Sequence, residues 1–158
     1  MHERAQEFAD RARREYDFDA DVEEFPEGTK TAADAADAIG CEVAQIASSI
    51  AMRADDTLVV TVTSGANRVS EAKLADLLGL AEEDVAMADA GEIKAALGWS
   101  IGGVPPFCHD ADVPVYMDET LTEFETVWAA AGTPEAVFPI DPPELRDLAG
   151  ATVADVAE

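Results

Sequence analysis

The amino-acid sequence predicts one mixed α and β domain that spans residues 1–158. The length suits a single hydrophobic core, and 48% of the residues are apolar, as in an ordinary globular protein. Segments with the period of a helix are intermixed with segments that favour strands. No internal repeat, low-complexity segment or interdomain linker separates them. These observations indicate the α+β (mixed α/β) class.

The N-terminal segment, residues 1–17, predicts an amphipathic helix. Apolar side chains recur there at spacings of three and four, which form one face of a helix: Ala5, Phe8, Ala9, Ala12 and Tyr16. Phe18 to Phe25 then favours a strand with acidic edges. Pro26-Glu27-Gly28 predicts the turn that ends this strand, because proline fixes φ and glycine tolerates most backbone conformations.

A short helix and a hairpin are predicted next. The Thr31 hydroxyl is suited to cap a helix that stops at Gly40. Two runs rich in β-branched residues follow, Glu42 to Ile50 and Thr57 to Thr63, and Ala54-Asp55-Asp56 between them suits a tight reversal. We therefore expect these two runs to pair as a hairpin.

Three helices in the rest of the chain carry start and stop signals. Their cap and stop residues are Ser70 and Gly79, Asp89 and Gly98, and Asp141 and Gly150. Glu92 follows Asp89 at the capping-box spacing. Pro142 stands at the first position after Asp141, where a missing N–H costs nothing. These signals predict the helix boundaries closely.

Other segments favour strands and turns. Ser64-Gly65-Ala66-Asn67 predicts a turn, and Val85 to Ala88, Val113 to Met117 and Ala136 to Ile140 each predict a strand. Leu121 to Ala131 is ambiguous, because its alanines favour a helix while its aromatic and β-branched residues suit a strand. Periodicity alone leaves both alternatives open.

The loop Trp99 to His109 is the most unusual segment. It holds two glycines, two prolines and two large aromatic residues, which makes it too stiff and apolar for a linker in solvent. Such a loop packs against something. It can form the wall of a pocket, or a hydrophobic plug over one end of the core, and the two roles do not exclude each other.

The negative charge is spread over the whole chain and is not confined to a tail. The formal net charge is -24, with 34 acidic residues spread along the chain against 10 basic ones, of which only three are lysines. We interpret this as adaptation to concentrated salt, where a Debye length of about 3 Å at 1 M screens the repulsion; an ordinary acidic protein is the alternative. No apolar run of about 18 residues is present and the N-terminus is too charged for a signal peptide, so we expect a cytoplasmic protein without a membrane partner.

General catalytic motifs are missing. Ser48 and Ser49 lack the glycines of a nucleophile elbow, and no P-loop, GxGxxG or HExxH occurs. The acidic pairs Glu82-Glu83 and Asp118-Glu119 arise freely in so acidic a chain. The chain has no basic stripe with interleaved aromatic residues, so we do not expect it to bind DNA. We expect no metal and no cofactor.

The two cysteines leave several interpretations open. Cys41 and Cys108 lack zinc-site spacing and are too few for a disulfide framework, although a single bridge between them is compatible with the sequence. Cys108 stands beside His109, and this pair suits a nucleophile or half of a metal site. Adjacent side chains usually point apart, so a structural role is the simpler interpretation.

Five segments in order resemble one family. They are the helix start at Thr31-Ala-Ala-Asp34, the run Gln45-Ile-Ala-Ser48-Ser49, the turn Ser64-Gly-Ala-Asn-Arg-Val69, the loop Gly102-Gly-Val-Pro-Pro-Phe107, and Val115-Tyr-Met-Asp118-Glu119. From about residue 18 to the C-terminus the chain resembles the YbaK-type aminoacyl-tRNA deacylases. That family includes the editing domain inserted in bacterial prolyl-tRNA synthetases.

The resemblance implies a fold and an activity. The fold is a mixed sheet curled into a barrel-like core with flanking helices, and within it Glu125 to Ala131 is a strand that pairs with Ala136 to Ile140. The activity is hydrolysis, in trans, of the ester that joins a wrong amino acid to the 3′ end of tRNA. The implied mechanism relies on positioning and on the substrate's own hydroxyl, so it needs no catalytic triad.

The resemblance also implies site residues. Backbone amides of Gly102 and Gly103 orient the ester or stabilise the oxyanion, with Ser48 as the third catalytic position. The implied substrate-binding residues are Thr31, Ser49, Arg53, Arg68, Pro105, Pro106, Phe107 and Asp118. Cys108 alters the rim of the pocket. The implied partners are mischarged tRNA and an aminoacyl-tRNA synthetase.

The chain departs from the family at one important position. The family has a lysine where this chain has Ser48, so one cation near the reacting ester is missing. Lys30, Arg53 and Arg68 are the nearest substitutes along the sequence. The alternative function is a non-catalytic module that binds an amino acid or a synthetase partner and has lost the family lysine.

Overall fold

The computed structural model describes residues 2–25 and 31–158, and in this part of the chain five α-helices flank one mixed eight-stranded sheet. The helices are α1 (Glu3–Tyr16), α2 (Ala32–Ile39), α3 (Glu71–Leu78), α4 (Ala90–Leu97) and α5 (Pro142–Ala149). The strands are β1 (Glu23–Glu24), β2 (Ile46–Ala54), β3 (Thr57–Ser64), β4 (Val85–Met87), β5 (Val115–Asp118), β6 (Val127–Ala130), β7 (Ala136–Ile140) and β8 (Thr152–Ala154). The predicted mixed α/β class is confirmed.

The predicted helix boundaries are also confirmed. Side chains of Thr31, Ser70, Asp89 and Asp141 each accept a hydrogen bond from the backbone N–H three residues further on. Asp89 and Glu92 form the reciprocal capping box. The glycines that follow these helices are in the left-handed region, where a side chain would be strained. Within the described residues, no helix is long and apolar enough to cross a membrane.

The strand β2 organises the sheet, whose order is β1-β7-β6-β2-β3-β5-β8, with β4 added beside β2. One edge of β2 pairs with β3 in the predicted hairpin, in register from Ala47 opposite Ser64 to Ala54 opposite Thr57. The other edge is shared: β6 pairs in parallel with Ile46 and Ala47, and β4 pairs antiparallel with Met52 to Ala54. The described strands therefore leave a gap on that edge, beside residues 48–50.

An aromatic cluster fills the core between α1 and the sheet. Phe8 of α1 lies 4.9 Å from Phe138 of β7 and 5.7 Å from Phe107, measured between ring centroids. Tyr16 and Phe18 also contact the Phe107 ring. The predicted N-terminal helix is confirmed, and its apolar face covers one side of the core.

Several predicted strands have different bounds. Phe18 to Phe25 contributes only Glu23–Glu24 to the sheet, and Phe18 packs its ring against Phe138 in the aromatic cluster instead of pairing. The predicted run from Glu42 becomes a strand only at Ile46, since Val43–Gln45 forms a 3-10 turn. The turn predicted at Pro26-Glu27-Gly28 lies outside the described residues.

The ambiguous segment before residue 131 is resolved. A 3-10 turn at Glu119–Glu123 is followed by β6, which pairs antiparallel with β7 from Val127 opposite Ile140. The strand implied by the family resemblance is confirmed. The C-terminal strand β8, which pairs with β5, has no counterpart in the predictions.

Candidate functional site

A cavity of about 630 Å³ opens at the gap beside β2. It is lined by residues 47–51 of β2, the first turn of α2, Ile93 of α4, residues 101, 102 and 104 of the loop, and the β6–β7 hairpin. This volume is typical of a pocket for a small molecule. The cavity exists because neither β6 nor β4 covers the middle of β2.

The two faces of β2 give the cavity two halves, since successive side chains of a strand point to opposite faces. The inner half, toward the main core, has small and buried walls made by Ala47, Ala51, Ile93 and Val104. The outer half carries the side chains that alternate with them, including Ser48, with Trp128 on the neighbouring strand.

The backbone of Ser49 faces the cavity. The Ala51 carbonyl accepts a hydrogen bond from Ala88 N–H at 3.1 Å, which points that carbonyl toward the β4 edge. Alternation along an antiparallel strand turns both backbone groups of Ser49 to the same edge, beside the gap. The Ser49 hydroxyl oxygen is buried and has no hydrogen-bond partner among the described residues. Ser49 thus offers a backbone donor and acceptor to a ligand.

The glycine end of the loop supplies further donors. Gly102 is in the left-handed region with φ of 86° and lines the cavity, as does Val104. Neither residue's N–H has an acceptor within residues 2–25 and 31–158. Two residues of the cavity wall therefore have backbone amides that no described group engages.

Gly103 has a different role from the predicted one. Its N–H donates to the Ser100 carbonyl at 3.0 Å, so this amide is already used within a turn. A Cβ at this position would lie 2.7 Å from Thr133 Cα. Gly103 is needed for the close approach of the loop to the β6–β7 hairpin, and not as a donor to a ligand.

The proline and phenylalanine end of the loop points into the core. Pro105, Pro106 and Phe107 are buried and do not line the cavity. The Phe107 ring lies 5.0 Å from that of Tyr16 and 5.9 Å from that of Phe138. In the structure these three residues pack in the core, where the Phe107 ring fills space under α1. The loop is a plug at this end and a pocket wall at the glycine end.

Asp118 organises the turn after β3 and does not line the cavity. Its buried carboxylate accepts hydrogen bonds from Ser64 N–H at 3.1 Å, Asn67 Nδ2 at 2.9 Å and Thr120 N–H at 3.0 Å. These bonds hold the predicted turn at residues 64–67. Gly65 in that turn lies so close to Val43 and Ala32 that a Cβ would clash with both. In the structure, the Asp118 carboxylate therefore supports this turn.

The predicted arginines also lie away from the cavity wall. Arg53 is half exposed, with its guanidinium 3.5 Å from the Glu92 carboxylate. Arg68 is exposed next to the C-terminus, where its carbonyl accepts from Glu158 N–H. Lys30 lies outside the described residues. Among the described lining residues the only charged side chain is Glu135, so no described cation replaces the family lysine at Ser48.

Four predicted residues do lie together. Thr31, Ser48, Ser49 and Gly102 all line the cavity. Sequence reasoning missed Trp128, whose only signal is a large aromatic residue in the ambiguous segment. It also missed the backbone amide of Val104, which no side-chain motif could reveal.

Cys108 and His109 are structural. Both cysteines are free, so the bridge left open by the sequence is not formed. Burial raises the pKa of the Cys108 thiol to about 12. Burial also lowers the pKa of His109, whose Nε2 lies 2.8 Å from the Pro105 carbonyl. A neutral thiol in the core is a poor nucleophile, which argues against thiol-dependent catalysis. No cluster of three or more potential metal ligands occurs within the described ranges.

Comparisons with known proteins find one matching family and several similar proteins. The model of the family described as aminoacyl-tRNA editing domain matches residues 26–148. The uncharacterized protein YwhH of Bacillus subtilis (strain 168) is 31% identical over 129 residues, which cover 81% of this chain and 80% of YwhH. A solved structure described as a candidate trans-editing enzyme for prolyl tRNA synthetase is 36% identical, with a TM-score of 0.93 over 100% of this chain and 99% of that one. A scaffold protein from computational grafting of linear epitopes is 37% identical, with a TM-score of 0.92 and the same coverage.

Proposed function

This chain belongs to the aminoacyl-tRNA editing domain family, and from that premise we propose that it hydrolyses, in trans, the ester between an amino acid and the terminal ribose of tRNA. The observation that carries the proposal is the free backbone amides of Gly102 and Val104 on the wall of the cavity. Unpaired amides in a partly enclosed site stabilise negative charge that develops on a carbonyl oxygen. They need no catalytic side chain to do so.

The chemistry is addition of water to an ester. Water attacks the carbonyl carbon, the carbonyl oxygen becomes an oxyanion that the two amides stabilise, and the bond to the ribose oxygen breaks. The proton of the attacking water passes to the ribose oxygen, so the products are a free amino acid and an uncharged tRNA. A ribose hydroxyl next to the ester is the group that relays this proton, as the family implies. Positioning supplies the catalysis.

In this proposal the amino-acid side chain occupies the inner half of the cavity. Its walls are the apolar side chains of Ala47, Ala51, Ile93 and Val104, which suit an uncharged amino-acid side chain. The Ser49 carbonyl faces the gap and can accept from the α-ammonium group, with the Glu135 carboxylate at the opening. The similarity to a candidate trans-editing enzyme for prolyl tRNA synthetase favours tRNAs that this synthetase charges wrongly.

The direct test is deacylation of tRNAPro charged with glycine, alanine, serine, cysteine or proline, assayed in molar KCl. We expect hydrolysis of at least one small aminoacyl ester well above the buffer rate. Gly102→Ala should lower this rate at least tenfold, because φ of 86° is strained for alanine and the amide shifts. Gly79→Ala is the matched control, since it has φ of 72° and open space around it, away from the cavity.

The non-catalytic alternative makes a distinct prediction. If the natural protein shows no hydrolysis with any ester while Ser48→Lys does, the chain is a module that binds the aminoacyl end or a synthetase partner. Salt provides a second criterion, because a net charge of -24 repels a polyanion unless the charges are screened. Turnover that is fastest at about 50 mM salt would argue against the salt-adapted deacylase.

A further inference from the structure

Trp128 is the one aromatic side chain that lines the cavity within the described residues. It is half-buried on β6, and its parallel pairing with Ile46 places it on the outer face, on the strand next to Ser48. It packs along the edge of a small apolar cluster with Ala35 and Ile46. Its ring has no aromatic or cationic partner, and its indole N–H makes no hydrogen bond, within residues 2–25 and 31–158.

The charges around the cavity offer little to a phosphate. Seven of the nine described basic residues are in ion pairs with acidic neighbours: Arg4, Arg11, Arg13, Arg14, Arg53, Lys73 and Arg146. No described basic residue lines the cavity, and Glu135 adds a negative charge to its wall. Most proteins hold nucleic acids through lysine and arginine contacts that weaken with salt. The described residues of the cavity wall therefore offer a nucleic acid no cation.

The rim of the cavity is apolar. Four large hydrophobic side chains are exposed on the described surface, and two of them, Met87 at 56% and Ile101 at 54%, line this cavity. They come from β4 and from the loop, on elements different from that of Trp128. An exposed apolar rim beside a half-buried indole suits a flat, apolar ring system. It does not suit a phosphate.

We propose that Trp128 is a stacking platform for the adenine base at the 3′ end of the aminoacyl-tRNA. This inference rests on the proposed function, in which the aminoacyl group occupies the inner half of the cavity and the nucleoside occupies the outer half. Stacking on an aromatic face tolerates high salt, because it depends on the face of the base and not on the phosphates. The chain thereby binds a polyanion in spite of its own negative surface.

Fluorescence tests the platform without any hydrolysis. Of the two tryptophans, Trp99 is fully buried, so a ligand that enters the cavity reports through Trp128. We expect saturable quenching by adenosine and by adenosine 5′-monophosphate in 2 M KCl, with similar affinity at 0.5 M. Trp128→Leu should abolish the response. If alanine amide quenches Trp128 and adenosine does not, the indole contacts the amino acid and the proposal is overturned.

Kinetics with charged tRNA give the second readout. Trp128→Leu should raise KM about 10- to 100-fold and change kcat less than about threefold, the range expected for loss of one stacked base. Trp128→Phe should restore most of the affinity, because phenylalanine keeps an aromatic face. Leu77→Ala is the control, since Leu77 is an exposed apolar residue of α3 outside the cavity. An unchanged KM in folded Trp128→Leu contradicts the platform.

The two proposals fail separately. Quenching by adenosine without hydrolysis of any ester supports the stacking platform and contradicts the deacylase. Hydrolysis with an unchanged KM in Trp128→Leu, and no quenching by adenosine, supports the deacylase and overturns the platform. Circular dichroism of each variant in 2 M KCl confirms that it is folded before either conclusion is drawn.

Discussion

The loop Trp99 to His109 has a glycine end, at Ile101 and Gly102, and an aromatic end, at Pro105 to Phe107, and the two ends differ in burial. At the aromatic end, Pro105 to Phe107 are buried, and the Phe107 ring contacts that of Phe8 in α1. At the other end, Ile101 is exposed and Gly102 presents an unpaired amide to the cavity. A backbone donor is useful in a site only if it stays in place. The packed aromatic end holds the loop in place, and the backbone donor of the glycine end depends on that fixed position.

The N-terminal helix joins this arrangement from outside the cavity. The Arg4 guanidinium lies 4.3 Å from the centre of the Trp99 ring and donates to the Gly98 carbonyl. Its side chain thus covers the buried indole and holds the start of the loop. A helix that touches no ligand still stabilises the wall of the site.

Removal of a ring from the aromatic end should have the largest effect. Phe107→Ala deletes a buried side chain that contacts four other rings, and we expect a loss of about 3–5 kcal/mol in the free energy of unfolding. Ile101→Ala, at the exposed end, should change stability by less than about 0.5 kcal/mol. Denaturant unfolding in 2 M KCl measures both. Equal losses would contradict the division of the loop into two ends.

Gly103 lies where the two ends meet, and its replacement should affect stability and activity together. The Cβ of Gly103→Ala would lie 2.7 Å from Thr133 Cα, so the loop must move away from the hairpin. We expect a loss of about 1–3 kcal/mol in stability. The displaced amides should lower kcat at least tenfold.

Gly91 provides the matched control for that substitution. It lies in α4, and its nearest contact for a new Cβ is the Asp89 carboxylate at 3.3 Å. Gly91→Ala should be neutral or stabilise the helix by up to about 1 kcal/mol. If Gly103→Ala unfolds at the same denaturant concentration as the parent chain, the close approach is not a constraint.

Local signals in the sequence predict the helices and the β2–β3 hairpin of this molecule well. The helices at 71–78, 90–97 and 142–149 begin and end at predicted caps, because capping depends on residues three positions apart. The β2–β3 hairpin follows from two β-branched runs with a short turn between them. The aromatic content of the loop also predicts its role as a plug.

The gap beside β2 and the cavity depend on segments that are distant in the sequence, so local signals could not predict them. The gap beside Ser49 exists because β6 and β4 pair with different ends of β2, and both strands are far away in the sequence. The same limit applies to Asp118, which resembles a site residue in sequence but bonds to the turn at Ser64 in the structure. A sequence motif does not show why its residues are needed. The fold shows whether such a residue lies at the cavity or supports a turn.

His109 gives the aromatic end a dependence on pH. Burial holds the pKa of His109 below its unfolded value of about 6.5, with Arg11 adding to that effect and Asp110 opposing it. The unfolded chain therefore binds the proton more strongly, and the stability contributed by neutral His109 is present above about pH 6.5 and lost as pH falls below it. The loss for one proton is at most about 1.4 kcal/mol per pH unit.

Comparison of two variants isolates this contribution from that of the many carboxylates. His109→Gln should lose less stability than the parent chain between pH 7.5 and pH 5.5, measured as the change in unfolding free energy in urea. His2→Gln gives the comparison for the other histidine, which is exposed and caps α1 by accepting a hydrogen bond from Arg4 N–H. Identical pH profiles for His109→Gln and the parent chain would show that His109 is not held neutral by the core.

Cys108 should show the smallest effect, namely no reaction at all. Its pKa of about 12 leaves about one thiol in 10⁴ ionised at pH 8, and its side chain is buried. Cys41, also of raised pKa but partly exposed, should react first with iodoacetamide. Mass spectrometry should therefore find a single label in the native protein and two after unfolding. Rapid labelling of Cys108 in the native protein, with loss of activity, would mean that the aromatic end opens to solvent and that a thiol takes part in the reaction. The loop would then have no separate fixed end and functional end.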